Sequence, residues 1–210
     1  MEKETKIKKT EIQENIFLLE FETQMDLAST FLRFQEHYES PQFRGRVFDL
    51  DEYKEWYKNQ KGDFTYYTDW SGFNIPSHIL NPFREGKFNP LSSKEKDFLN
   101  LFVETDHPFY IIGLSLDKKE ESQKISLEHE IAHGLFYTLP AYRDKVLGIL
   151  EKYDLDSLEE WLRASDGYHG EVIKDECHAY GLSGHKNLAD KVPENLKLEL
   201  RETFNEYYKP

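Results

Sequence analysis

Cysteine is nearly missing from this chain: Cys177 stands alone in 210 residues. No disulfide can form within the chain, so stability must come from a packed core, and the usage fits a reducing compartment. Basic residues are also in short supply, with 27 Lys and Arg against 40 Asp and Glu and a formal charge of −13. Nucleic acid and anionic membrane both call for a basic face, so neither is expected as a partner. No stretch approaches the roughly 18 apolar residues of a membrane span. The opening run MEKETKIKKTEIQEN lacks the apolar centre of a secretory signal. The expected location is the cytoplasm. Repeats, low-complexity tracts and Gly/Ser linkers are missing too, which leaves one large domain or a compact pair of lobes.

What the chain does hold is aromatic core material: 13 Tyr, 15 Phe and 3 Trp. That supply excludes disorder as a reading. The pattern divides into an aromatic-rich mixed α/β part over 1–90 and a second part over 91–210, expected to form one compact unit. After a charged N-terminal tail, Ile16 to Phe21 reads as a buried strand. Met25 to Tyr38 reads as a helix with Leu27, Phe31, Phe34 and Tyr38 on one face, and Asp51 to Asn59 as a shorter one. Lys61 to Pro90 is rich in Gly, Pro and Asn and should be turns and short strands, its aromatics serving mainly as packing. Ser92 and Glu95 form a capping box for a helix through about Val103. Pro108 to Leu114 is the best strand in the chain. Beyond Pro140, helices are expected over Ala141–Tyr153, Ser157–Ala164, Gly170–Leu182 and Glu194–Tyr208.

Between that strand and Pro140 lies His129-Glu130-Ile131-Ala132-His133, an HExxH motif. Two histidines four apart face one side of a helix, so both imidazoles can bind one metal while the intervening carboxylate reaches its water. Composition gives roughly 0.04 chance matches in a chain of this length, so coincidence is a poor explanation. Leu127, Ile131, Leu135 and Leu139 form an apolar stripe, and His129, His133 and Tyr137 form a second stripe about 200° around the helix. With Ser126 as N-cap and Pro140 as terminator, the helix should run about 13 residues.

A hydrolytic zinc site needs a third protein ligand and an open position for water. In GEVIKDECHAYGL, Val172, Glu176 and Tyr180 recur every four residues, which puts Glu176 on the apolar face, where an unpaired carboxylate costs several kcal/mol. Glu176 is therefore the leading candidate. Asp175, about 100° away, suits the role of accepting the free N–H of a ligand histidine. His178 lies about 200° around the same helix and should point elsewhere. His169 and His185 fall in loops and are not excluded by geometry; His169, His178 and Asp175 are the main alternatives to Glu176 as ligand, and Cys177 ranks low.

HEIAHG on one helix and DECHAY on a later one resemble the zincin metallopeptidases of the gluzincin type, over roughly Phe109 to Leu182. The metzincin branch would need Gly and His or Asp where Phe136 and Leu139 stand, and peptide deformylases place their cysteine before the motif. The resemblance implies an α+β, zincin-like fold: a small mixed sheet whose active-site edge strand packs on the HExxH helix, followed by a mainly helical C-terminal part. It further implies Zn2+ held by His129, His133 and Glu176, and a zinc-bound water attacking a peptide carbonyl with Glu130 as general base. Phe109 to Ser115 would then run along the cleft and pair with the backbone of a peptide or protein substrate. An oxyanion donor is expected, with Tyr180, Tyr137, Tyr168 and His178 as candidates in that order. Two other functions compete: a narrow regulatory peptidase, and a metal-stabilised binding protein without turnover. Intact Glu130 argues against the second, because a structural zinc has no need of a base.

Overall fold

The computed structural model describes residues 6–70, 72–165, 170–183 and 191–209. It opens with β1 (Ile7–Gln13) and β2 (Ile16–Phe21), then α1 (Gln24–Glu39), α2 (Leu50–Lys61), the single turn α3 (Tyr66–Asp69) and β3 (Gly72–Pro76). A 3-10 turn (Ser77–Leu80) leads into the single turn α4 (Asn81–Arg84), followed by α5 (Ser93–Asn100) and β4 (Tyr110–Ser115). The remainder is helical: α6 (Glu120–Thr138), α7 (Pro140–Leu150), α8 (Asp156–Ser165), α9 (Ile173–Ser183) and α10 (Glu194–Tyr207). The fold is thus mixed α+β, mostly helical, around one four-stranded mixed sheet. No helix among the described residues is long and apolar enough to cross a membrane.

Strand order is β1-β2-β4-β3, with β2 and β4 parallel and both outer pairs antiparallel. The period of two in the strands sorts side chains to two faces. Ile16, Leu18, Tyr110, Ile112 and Leu114 enter the core shared with α6 and the C-terminal helices. Phe17, Leu19, Phe21, Phe73, Ile75 and Ile111 enter an aromatic core with α1 on the other face. Gly113 permits the close seating of α1, because a Cβ there would stand 2.6 Å from Phe31 and 2.7 Å from Leu27. Strands contributed from both sides of residue 90 share this sheet.

Three expectations need correction. Phe109–Ser115 is not an edge: β4 is paired on both sides, by β2 and β3, and every residue of Tyr110–Ser115 is buried. Its unbroken apolar run reflects burial on both faces of the sheet. The edge beside α6 is β3, from the segment expected to be turns and short strands. The charged N-terminal tail is β1, an outer strand on which Lys8, Thr10 and Glu11 are exposed while Lys9 lies over the Phe17 and Phe102 rings, a composition that protects an exposed edge. The HExxH helix is also longer than expected. It starts at Glu120, so Ser126 lies inside it rather than capping it, and acidic Glu120 and Glu121 occupy its first turn.

Candidate metal centre

Two helices build the site. On α6, Ile131 and Leu135 drive the apolar stripe into the core beside the sheet, which turns His129, Glu130 and His133 toward the edge strand and α9. On α9, Ile173, Cys177 and Ala179 pack into the same core. Arg201 of α10 fixes the pair: it donates to both Glu128 oxygens at 2.5 and 2.6 Å and to the Leu182 carbonyl at 2.9 Å.

His129 Nε2 and His133 Nε2 stand 3.1 Å apart, and Glu176 Oε2 lies 3.8 and 3.7 Å from them. The donor atoms of these three residues all fall within 4.8 Å of one another, so the group could hold a metal ion. Glu176 Oε2 is buried without a hydrogen-bond partner. Burial pushes the Glu176 carboxyl well above the usual carboxylate range against the opposing pull of His133. Asp175 takes the position expected of it, accepting from His133 Nδ1 at 2.9 Å. Despite burial, which opposes protonation, Asp175 and Glu176 together raise His133 to about 10. Burial, with His133 alongside, pushes His129 the other way, well below the ordinary imidazole value, and its Nδ1 stands 3.4 Å from Ser183 Oγ.

Glu130 is held from the edge strand. In β3 the outward alternation puts Gly72 and Asn74 on the α6 side, and Asn74 Nδ2 donates to Glu130 Oε2 at 2.6 Å. The Tyr110 hydroxyl donates to Asn74 Oδ1, which fixes the amide's orientation. The other carboxylate oxygen occupies the space over Gly72, where a Cβ would come within 2.6 Å of Oε1. Burial raises the Glu130 carboxyl, partly offset by His133 and Asn74.

Of the candidate donors, Tyr180 lines the cleft with its ring edge-on to His129 at 4.6 Å. Tyr137 does not line it and stands 3.3 Å from His78. His178 is fully buried and does not line the cleft; it shares a 2.7 Å hydrogen bond with the Tyr142 hydroxyl and its Nδ1 stands 3.5 Å from Asp175. Tyr168, His169 and His185 lie outside the described residues.

The triad sits in a cleft of about 430 Å³ whose other wall comes from the N-terminal part: Glu36 and Glu39 of α1, Tyr53, Trp56 and Tyr57 of α2, and Tyr66 of α3. None of these, nor Asn74, was singled out as a site residue from the sequence. The available signals were a polar residue inside the apolar strand GFNIP, and two glutamates one turn apart at the end of an aromatic helix. Gln35 links the two sides, accepting from the Asn74 backbone N–H at 3.2 Å and donating to Glu39 at 2.5 Å. Comparison with known protein families, curated proteins and solved structures returns no match for the chain.

Proposed function

We propose that this protein is a zinc-dependent metallopeptidase of the zincin type, hydrolysing a peptide or protein substrate in the cleft between α6, α9 and β3. The observation that carries the reading is the convergence of His129, His133 and Glu176 with an independently positioned Glu130 beside them. The spacing suits zinc: the three donor atoms stand 3.1, 3.7 and 3.8 Å apart, close enough for one ion to reach all of them at zinc–nitrogen and zinc–oxygen bond lengths of about 2.0–2.2 Å. Glu176 Oε2, buried and unsatisfied, is an atom that a cation would complete.

A zinc ion held there would lower the pKa of a water in its open position toward about 7 and polarise the scissile carbonyl. Every remaining task falls to the chain. Glu130 accepts the proton of the attacking water and delivers it to the leaving amine. Asn74 binds one Glu130 oxygen and leaves the other free over Gly72. Asp175 fixes the tautomer of His133 so that Nε2 presents its lone pair. Tyr180, edge-on to His129, is the candidate donor to the developing oxyanion. The outer edge of β3 borders the cleft, so an extended substrate would align there rather than on β4.

Elemental mass spectrometry on protein purified without added metal, beside Glu176→Ala, tests the centre. Near one zinc per chain in the wild type and little in the variant is expected. Failure to take up zinc after reconstitution would end the proposal. A peptide-library digest comparing wild type with Glu130→Gln tests turnover: the variant should keep its metal and lose cleavage.

A further inference from the structure

The cleft extends past the metal triad into a compartment the hydrolytic machinery does not use. Glu36 and Glu39 stand one helical turn apart at the end of α1, half-buried, and both face this space. Around them the rings of Tyr53 and Tyr57 stand nearly perpendicular to that of Tyr66, at 86° and 83°, with ring centres 5.5 and 5.8 Å away. Trp56 joins Tyr53 at 5.6 Å. The result is an aromatic box with a carboxylate side.

Two features of this box call for an occupant. Among the described residues, no Lys or Arg pairs with Glu36 or Glu39; the one lysine lining the cleft, Lys61, is exposed at the end of α2. Tyr66 is 1% exposed, and its hydroxyl is turned to Glu36 without a hydrogen bond of regular geometry. Both carboxyls are drawn partly out of water with only neutral donors beside them, Gln35 on Glu39 and the hydroxyls of Tyr66, Tyr53 and Ser40 on Glu36, so each still lacks a cation, and burial pushes both up to about 7. Aromatic faces add a second attraction for the same kind of ligand, since the ring quadrupole draws an ammonium or guanidinium within about 6 Å. A neutral aliphatic side chain would leave the carboxyls without a countercharge, and an acidic one would be repelled.

We propose that this compartment is a specificity pocket for a cationic group of the peptide substrate, the ammonium or guanidinium of a Lys or Arg residue or the terminal ammonium of the chain. The inference rests on the peptidase reading for its placement, because the pocket is continuous with the metal triad and would seat that cation next to the bond being cut. The formal charge of −13 also favours approach of a basic segment.

The test is a tryptophan-fluorescence titration, reported by Trp56 and Trp70 in the cleft wall, on zinc-loaded Glu130→Gln protein, which binds without cleaving. The probes are acetyl-Ala-Ala-Xaa-Ala-Ala-amide peptides with Xaa as Lys, Arg, norleucine or Glu, and uncapped penta-alanine. Lys and Arg peptides should bind at least about tenfold tighter than norleucine, with Glu weakest, a gap corresponding to about 1.4 kcal/mol. Adding Glu36→Gln and Glu39→Gln should shrink the preference below about threefold. Tight binding of penta-alanine that acetylation abolishes would assign the cation to the chain terminus. Equal binding of Lys and norleucine peptides without a terminal-amine effect, or a preference untouched by both substitutions, would overturn the pocket. Cleavage and zinc uptake without cation preference would remove this inference alone. A cation preference in a protein that takes up no zinc would remove the peptidase reading and leave the pocket.

Discussion

The carboxylate of Glu130 depends on a residue that has no side chain. Oε1 fills the volume over Gly72, so Gly72→Ala puts a methyl 2.6 Å from it. The clash is with the end of a flexible side chain, so the fold should survive while the carboxylate is pushed off its Asn74 hydrogen bond. Gly72→Ala is therefore predicted to bind one zinc and melt within a few degrees of wild type, yet lose 100-fold or more of its turnover, the usual worth of a positioned base. Wild-type turnover in that variant would mean Glu130 does not act from this position. Asp175 offers a complementary check on the metal side. Asp175→Asn weakens the acceptor that holds His133 Nδ1–H at 2.9 Å. Zinc affinity, measured by competition with a chelator, should fall roughly 10- to 100-fold. The two variants separate base positioning from metal binding. Of these residues the sequence exposed Glu130 and Asp175, because helical spacing places them. Gly72 and Asn74 were hidden, because their importance arises only when a strand is laid across a helix some 56 residues later.

At the scale of elements, the strongly periodic segments were legible. The Ile16–Phe21 strand, the α1 and α2 helices and the capping box of α5 all appear where residue pattern puts them. Edges were not, because a central and an outer strand differ by what lies beside them rather than by their own residues. β4 illustrates this: its apolar run named it a strand, and only the pairing with β3 showed that it was interior. Glu95 shows how one element is fixed to another. It closes the Ser92 capping box and receives Arg33 of α1 through two 2.6 Å contacts, with both side chains under a tenth exposed. Removing one partner of a buried pair leaves the other charge unsatisfied, a cost of about 3–5 kcal/mol. Glu95→Ala should therefore lower the melting temperature by roughly 10 °C in a domain of this size, measured by circular dichroism. Ser92→Ala removes only a cap and should cost about 1 kcal/mol. If the two variants melt together, the Arg33 pair contributes nothing beyond capping.

Across the whole molecule, the site is drawn from α1, α2, α3, β3, α6 and α9, so it spans most of the chain. A motif scan could reach the portion on α6 and α9, where ligand spacing is local. It could not reach the acidic and aromatic wall, which is assembled by the sheet bringing α1 over the triad. That assembly has a thermodynamic consequence at Glu36. Burial raises its carboxyl from 4.5 to about 7, against the neighbouring hydroxyls of Tyr66, Tyr53 and Ser40. Between these two values the folded protein binds a proton that the unfolded chain has released. Stability from this group is therefore complete below the lower value and is lost as pH rises through about 7, by up to about 3 kcal/mol. Glu36→Gln removes the titration while keeping the shape. Urea unfolding of the zinc-free proteins should show little difference near pH 4.5, and the variant more stable by about 1–3 kcal/mol at pH 8. A variant less stable than wild type at pH 8 would mean that the hydroxyls of Tyr66, Tyr53 and Ser40 hold the Glu36 carboxylate more strongly than burial penalises it. The stabilised variant should also be the one that discriminates least between cationic and neutral peptides, because a carboxylate kept without a cation weakens the fold until the ligand supplies one.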